Sequence, residues 1–212
     1  MSRRACFRRR LPPRTKKNRM QPHFFCQIRV ICAILCACKK IWGACPLKLQ
    51  KMIKASAFAA LICIATIVFV FPLAGAGYAN IGDCLVLLAG FTLGPVYGAC
   101  AAGIGSMLAD LFSGYAVYMP ATLIIKALMA VVVSAVAGRA AKTGIVRTIL
   151  AALAAECVMV AGYFAYECLI YGAGVAVADL VGNCVQGGAS IVIASILWSV
   201  ACRTKAAEFL RR

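Results

Sequence analysis

The sequence contains very little acid and almost no histidine: of 212 residues, six are Asp or Glu and one is His. That histidine, His23, lies in the N-terminal 51 residues, so the rest of the chain has no imidazole for metal binding or proton transfer. No Gly-rich stretch is followed by Lys and Ser or Thr, which excludes a phosphate-binding loop of the ATPase type. None of the 13 cysteines forms a CxxC pair of the zinc-site kind. The sequence predicts no catalytic centre, no metal and no cofactor.

The chain is rich in apolar residues. Hydrophobic residues make up 64% and charged residues 14%, a composition typical of a multi-span membrane protein. The sequence therefore predicts an all-α integral membrane protein with six transmembrane helices. The predicted spans are about 53–72, 84–96, 97–112, 121–138, 147–170 and 179–202, and a tight reversal at "LGPVYG" separates the second from the third.

The positive charge is concentrated in an N-terminal extension, residues 1–51, which holds 14 of the 23 Lys and Arg and no acid. Three interpretations remain open: a signal peptide with an unusually long basic region, a cytoplasmic arm on anionic lipid, or upstream sequence translated from a start that precedes the native one. The third places the native start at Met52. The expected division is an extension at 1–51 and a membrane domain at 52–212.

The basic residues also predict an orientation. They precede the first predicted span, separate the fourth from the fifth and follow the sixth, whereas the loops at about 73–83, 113–120 and 171–178 contain none. Six spans with both termini in the cytoplasm satisfy this pattern. Asn80 and Asp83 then lie on the outer face, together with Tyr115 and Tyr118.

Polar residues form stripes on four of the predicted helices. They are Ser106 and Asp110 on the third, Thr122 and Lys126 on the fourth, Glu156, Tyr163 and Glu167 on the fifth, and Asp179, Asn183, Gln186 and Ser190 on the sixth. Each set shares a helix face at 100° per residue. Because ionisable groups are costly in lipid, the stripes indicate an aqueous or ligand-filled cavity between the helices.

Lys126 is the cation in this set, and three roles are compatible with its position. It is six residues past Pro120, about 9 Å along the helix. Its ammonium would snorkel to the headgroups, pair with an acid such as Asp110 or Asp179, or contact a ligand.

Several stretches together resemble the substrate-binding S components of energy-coupling factor (ECF) transporters, which are bacterial vitamin uptake systems. The similar stretches are "ANIGDCLVLLAGFTLGPVYGACAAGIGSMLADLFSGYAVYMPATLIIKAL", "GYFAYE" at 162–167 and "NCVQGG" at 183–188, in order. The riboflavin, pyridoxine and hydroxymethylpyrimidine branch is the most similar.

The resemblance implies a function without catalysis by this chain. A six-helix protein in the bacterial plasma membrane would bind a vitamin near its outer face, dock on a transmembrane coupling subunit with two ATPase subunits, and carry the ligand inward by toppling. The family's ligand groups correspond here to Tyr115, Tyr118, Lys126, Tyr163, Glu167, Asn183 and Gln186, and we add Asn80 and Asp83 as outer-face candidates.

The same resemblance implies a docking motif of small residues on the first helix. The stretch "ASAFAA" offers two registers, Ala55 with Ala59 or Ser56 with Ala60. Two other functions remain open: a proton-coupled secondary carrier that uses Glu156 or Glu167, and an intramembrane enzyme that uses acids such as Glu156 and Asp179.

Overall fold

The computed structural model describes residues 47–138 and 144–204 of the chain. In order, the elements are α1 (Leu47–Val68), β1 (Val70–Pro72), β2 (Tyr78–Asn80), α2 (Gly82–Ser113), a 3-10 turn (Ala116–Tyr118), α3 (Met119–Ala137), α4 (Ile145–Ile170) and α5 (Ala173–Arg203). Residues 1–46 lie outside the described part of the chain, as do 139–143 and 205–212, which hold several of the basic residues used to predict the orientation.

Five helices in the described part of the chain are long and apolar enough to cross a membrane. The expected all-helical membrane architecture is therefore present, with five such helices where the sequence predicts six. Helices are the stable state for these segments because each backbone polar group is satisfied within its own helix. The difference in number arises in α2, which contains both the second and the third predicted spans.

The long element α2 is broken at Gly94. This glycine has φ 81° and ψ −177°, a conformation that is not helical, and Pro95 follows it. A Cβ added to Gly98 would lie 3.1 Å from the carbonyl oxygen of Ala89, whereas nine residues of straight helix would separate the two by about 13 Å. The chain therefore turns back at Gly94, as the "LGPVYG" stretch predicts.

A short antiparallel hairpin connects α1 to α2. β1 pairs with β2 in a register that places Val70 opposite Asn80 and Pro72 opposite Tyr78. The sequence prediction of helix up to residue 72, followed by a loop, was wrong here: α1 ends at Val68 and the chain forms strands. The Gly and Pro residues of "PLAGAG" favour a turn after an apolar run, so the hairpin ends the helix four residues early.

Small residues let the helices pack closely at three points. A Cβ added to Gly90 or Gly103 would lie 2.8 Å from a backbone carbonyl of α3, and one added to Gly105 would lie 2.6 Å from the carbonyl of Ala59 on α1. Such contacts allow backbone approach that larger side chains would prevent. Both halves of α2 are thereby held against α3 or α1, and the polar faces of the helices turn toward one another.

Candidate functional site

The polar stripes meet in one cavity between the helices, at the end of the bundle that carries β1 and β2. Its lining comes from the hairpin and from all five helices: Thr66, Gly77, Tyr78, Asn80, Ser106, Asp110, Tyr118, Thr122, Lys126, Tyr163, Glu167, Asn183 and Gln186. Each helical stripe thus contributes at least one lining side chain. Interior polar side chains in a membrane protein are expected to face such a space.

A buried ion pair forms the floor of this arrangement. Lys126 Nζ lies 2.5 Å from Asp83 Oδ1, and the two side chains are 3% and 1% exposed. Gln186 Nε2 donates to the other carboxylate oxygen of Asp83 at 2.5 Å, and its Oε1 accepts from the backbone N–H of Asn80 at 2.8 Å. Residues of α2, α3, α5 and β2 are therefore joined in one network.

This network corrects the predictions for Lys126. Snorkelling is wrong, because the side chain is buried inside the protein. Pairing with an acid is confirmed, but Asp83 is the partner and the two acids named from the sequence are not. Asp83 is at the first turn of α2, where sequence position alone gives no indication that it faces α3. Asp179 instead accepts backbone N–H groups of the loop between the strands, and one oxygen of Asp110 accepts from Tyr78.

Asp179 holds the loop between the two strands. Its carboxylate accepts the backbone N–H groups of Gly75 at 2.6 Å, Ala76 at 3.0 Å and Gly77 at 2.8 Å, and its side chain is fully buried. Hydrogen bonds to a carboxylate are among the stronger ones in proteins. The Asp179 carboxylate thus fastens the loop that covers the cavity to α5.

Tyrosines form one wall of the cavity. Tyr118 is 4% exposed, and its ring centroid lies 6.4 Å from that of Tyr163 and 6.1 Å from that of Tyr171. Tyr115 does not line the cavity but packs on Tyr78, with ring centroids 4.5 Å apart. These offset contacts are typical of aromatic clusters. The loop that carries Tyr115 and Tyr118 therefore lies beside the polar side chains of the cavity.

Three polar side chains on the cavity wall retain free hydrogen-bonding capacity. The Asn183 amide makes no hydrogen bond to another described residue, although the side chain is 4% exposed. Asp110 Oδ2 and Glu167 Oε2 are buried and lack a hydrogen-bond partner within residues 47–138 and 144–204. Buried polar atoms are nearly always paired, so such a cluster is typical of a site that binds a polar molecule.

The partner oxygens of these two acids are engaged. Tyr78 donates its phenol to Asp110 Oδ1, and Tyr118 donates to Glu167 Oε1 at 3.4 Å. Thr122 shares a 3.0 Å hydrogen bond with the Tyr163 hydroxyl. Burial, followed by the negative charge of Asp110, raises the pKa of Tyr78 far above its ordinary value, so this phenol stays a donor at physiological pH.

The cavity brings together seven of the nine binding residues predicted from the sequence: Asn80, Tyr118, Lys126, Tyr163, Glu167, Asn183 and Gln186. Asp83 and Tyr115 lie behind this lining. Ser106, Asp110 and Thr122 were placed on polar stripes but not chosen as binding residues, and their position on the same faces as the chosen ones was the available signal. Thr66, Gly77 and Tyr78 are not among the predicted binding residues either, although Thr66 is a polar residue inside an apolar helix.

In this structure the cavity has a volume of about 20 Å³, which is room for about one water molecule. Its cover includes Gly77 and Tyr78 from the hairpin. A vitamin-sized heterocycle would require several hundred Å³. The structure therefore corresponds to a closed arrangement of the hairpin and the aromatic wall.

Comparisons with known proteins connect this cavity to a family. The profile of the family described as "ECF-type riboflavin transporter, S component" matches residues 47–202. The chain belongs to this family of S components. A solved structure titled "Structure and mechanism of the S component of a bacterial ECF transporter" superimposes with a TM-score of 0.57 at 27% identity, over 78% of this chain and 99% of that chain. As a substrate-binding component of a transporter, the chain is not an enzyme.

A relative of this S component is found in Pyrococcus woesei. It is described as "Uncharacterized protein in gap 3'region" and is 34% identical over 133 residues, which cover 62% of this chain and 88% of the relative.

A second surface of the S component contains the residues of the docking motif predicted on the first helix. Ala55, Ser56, Ala59 and Ala60 all line an open groove of about 600 Å³ between α1 and the second half of α2. Ser56 and Ala60 are exposed, whereas Ala55 is buried and the Ala59 backbone is close to Gly105. The pair that faces outward is therefore Ser56 with Ala60.

The S component also contains an acid outside the cavity. Glu156 is 3% exposed, and neither of its carboxyl oxygens has a hydrogen-bond partner among the described residues. It borders an apolar groove between α4 and α5, next to Gly187. Among the described residues that line this groove, Glu156 is the one acid.

Proposed function

We propose that this S component captures a water-soluble vitamin at the outer face of the membrane, and that riboflavin is the first compound to test. The observation that carries the proposal is the cavity itself, where tyrosine rings lie beside an amide and two carboxyls that have free hydrogen-bonding capacity. A flat heterocycle with hydroxyl and N–H groups complements that wall. The name of the family makes riboflavin the first candidate.

Capture requires the cavity to open, and the hairpin is the element best placed to move. Its loop is attached to α5 through the Asp179 carboxylate, whereas Lys126, Asp83 and Gln186 form the floor and reach the hairpin at the backbone N–H of Asn80, outside the loop. Release of the loop uncovers the tyrosine wall without disturbing the floor. We propose that the ligand enters beneath the loop between β1 and β2.

The distribution of charge supports an orientation in which the cavity faces outward. Within the described residues, Lys48 and Lys51 are at the start of α1, Arg147 is at the start of α4 and Arg203 is at the end of α5. The cavity-lining residues of these helices lie toward their other ends. Basic residues stay on the cytoplasmic side, which leaves the cavity outside.

The reversal at Gly94 supports six passes rather than five. If the two halves of α2 run in opposite directions, the chain crosses six times and both termini lie in the cytoplasm. The first half, 82–93, is about 18 Å long, so it forms the shortest of the six proposed passes.

Delivery requires partners. We propose that the groove of Ser56 and Ala60 docks on a transmembrane coupling subunit, and that two ATPase subunits supply the energy for import. Small residues at i, i+4 spacing permit close helix approach without a polar contact. The ligand site and the docking groove share no lining residue, so the two steps are separable by mutation.

The proposal is tested with the purified full chain in detergent. Riboflavin fluorescence should be quenched on titration with the protein, in a saturable manner and with about one ligand per chain. Uptake by cells that express the chain should also require the coupling subunit and ATPases. Uptake that persists without the ATPases and disappears with the proton gradient would instead identify a secondary carrier.

A further inference from the structure

We propose that the cavity selects vitamins in their unphosphorylated form, and that Asp110 and Glu167 are the residues that determine this specificity. The selectivity rests on the function proposed above, because it concerns the same cavity. Three observations support this selectivity: the balance of charge around the cavity, the unpartnered oxygens of the two acids, and the hydrogen bonds that the nearby backbone N–H groups already make.

The charge around the cavity is weighted toward acid. Within the described residues, Lys126 is the sole basic side chain of the lining, and its ammonium is 2.5 Å from Asp83. Asp110 and Glu167 line the same space without a cation of their own. A phosphate group would therefore enter a low-dielectric space where the Lys126 ammonium is already paired, and an uncompensated buried charge is strongly unfavourable.

The free carboxyl oxygens favour donors on the ligand. Asp110 Oδ2 and Glu167 Oε2 are buried and lack hydrogen-bond partners within the described residues, and both residues line the cavity. Ligand hydroxyl or N–H groups would complete their hydrogen bonding, as a sugar alcohol chain or an imide does. Phosphate oxygens are acceptors and cannot do so unless they are protonated.

The backbone groups that bind phosphate in many proteins are already used here. Consecutive N–H groups of a glycine-containing loop form anion sites when they are free, but those of Gly75, Ala76 and Gly77 donate to Asp179. The first N–H of α2, from Gly82, donates to Asn80 Oδ1 at 2.8 Å. Neither the loop nor this helix start offers a free donor cluster for a phosphate.

The experiment compares riboflavin with flavin mononucleotide on the full chain purified in detergent. For the wild-type protein we expect the phosphorylated form to bind at least about 100-fold more weakly, either because it enters the acidic cavity or because it prevents loop closure. In Asp110→Asn and Glu167→Gln the ratio should fall at least about tenfold, since each replaces an acidic side chain by a neutral amide of the same size.

The matched control is Glu156→Gln, the same change at a buried acid that does not line the cavity; its ratio should equal that of the wild type. The inference is overturned if wild-type protein binds the two flavins within about threefold of each other, or if Asp110→Asn and Glu167→Gln keep the wild-type ratio.

A failure of the riboflavin assignment is distinguishable from a failure of the selectivity. If wild-type protein does not bind riboflavin, that assignment is wrong, and the same comparison is made by calorimetry with pyridoxine and pyridoxine phosphate. Binding of pyridoxine alone supports the selectivity. Binding of both forms, of the phosphate alone or of neither overturns it.

Discussion

Lys126 Nζ and Asp83 Oδ1 lie 2.5 Å apart in the interior of the helix bundle. The pair joins the start of α2 to α3, and Gln186 extends it to α5. An isolated charge at this depth would be costly, so each residue explains the presence of the other. The lysine that interrupts an apolar helix is thus part of the framework beneath the cavity.

The first prediction concerns this pair. Lys126→Met leaves the Asp83 carboxylate buried without its cation, and we expect a loss of about 3 kcal/mol or more in the free energy of unfolding. The double variant with Asp83→Asn should recover at least half of that loss, because the asparagine still accepts from Gln186. Unfolding in detergent, followed by circular dichroism, measures both. Equal stability of the single variant and the wild type would show that the pair contributes nothing.

A second prediction isolates ligand contact from stability. Asn183→Ala removes a cavity amide that bonds to no other described residue, so binding of riboflavin should weaken about tenfold while the melting temperature stays unchanged. Val185→Ala is the control, because Val185 is on the same helix and is 67% exposed. If both variants bind like the wild type, Asn183 is not a ligand residue.

Much of the site was predictable because its residues follow helical periodicity. Asn183 and Gln186, three residues apart, were placed on one face from their spacing alone, and Tyr163 and Glu167 likewise. Spacing within a helix is a local property that the sequence records directly. The convergence of the stripes on one cavity could then be predicted, because ionisable groups avoid lipid.

The partners of the charged residues were not predictable in this way. The pairing of Lys126 with Asp83 depends on the angle at which α2 meets α3, and the role of Asp179 depends on a loop 102 to 104 residues earlier in the chain. Both are tertiary contacts with no periodic signal. The hairpin was missed for a related reason, since its three-residue strands are too short for an alternating pattern to stand out.

A third prediction concerns the loop over the cavity. Asp179→Asn replaces a carboxylate that accepts three backbone N–H groups by an amide with one acceptor oxygen. Hydrogen exchange at Gly75, Ala76 and Gly77 should accelerate about tenfold or more, because hydrogen bonds to charged groups are worth ~1.5–3 kcal/mol each. Mass spectrometry of the exchanged peptide measures this, and a peptide from the middle of α3 is the internal control. Unchanged exchange in the loop would mean that Asp179 does not hold it.

The fourth prediction separates docking from binding. Ala60→Leu places a large side chain in the groove on α1, so co-purification with the coupling subunit should fall at least about tenfold while riboflavin binding is retained. The matched control is Val181→Leu, which adds bulk at an exposed position of α5.

The two possible docking registers are distinguished by Ala59→Leu. Its side chain starts where the α1 backbone already meets Gly105, so this variant should lower the stability of the isolated chain, whereas Ala60→Leu should not. If Ala60→Leu assembles normally and Ala59→Leu alone fails to assemble while remaining stable, the docking register is Ala55 with Ala59.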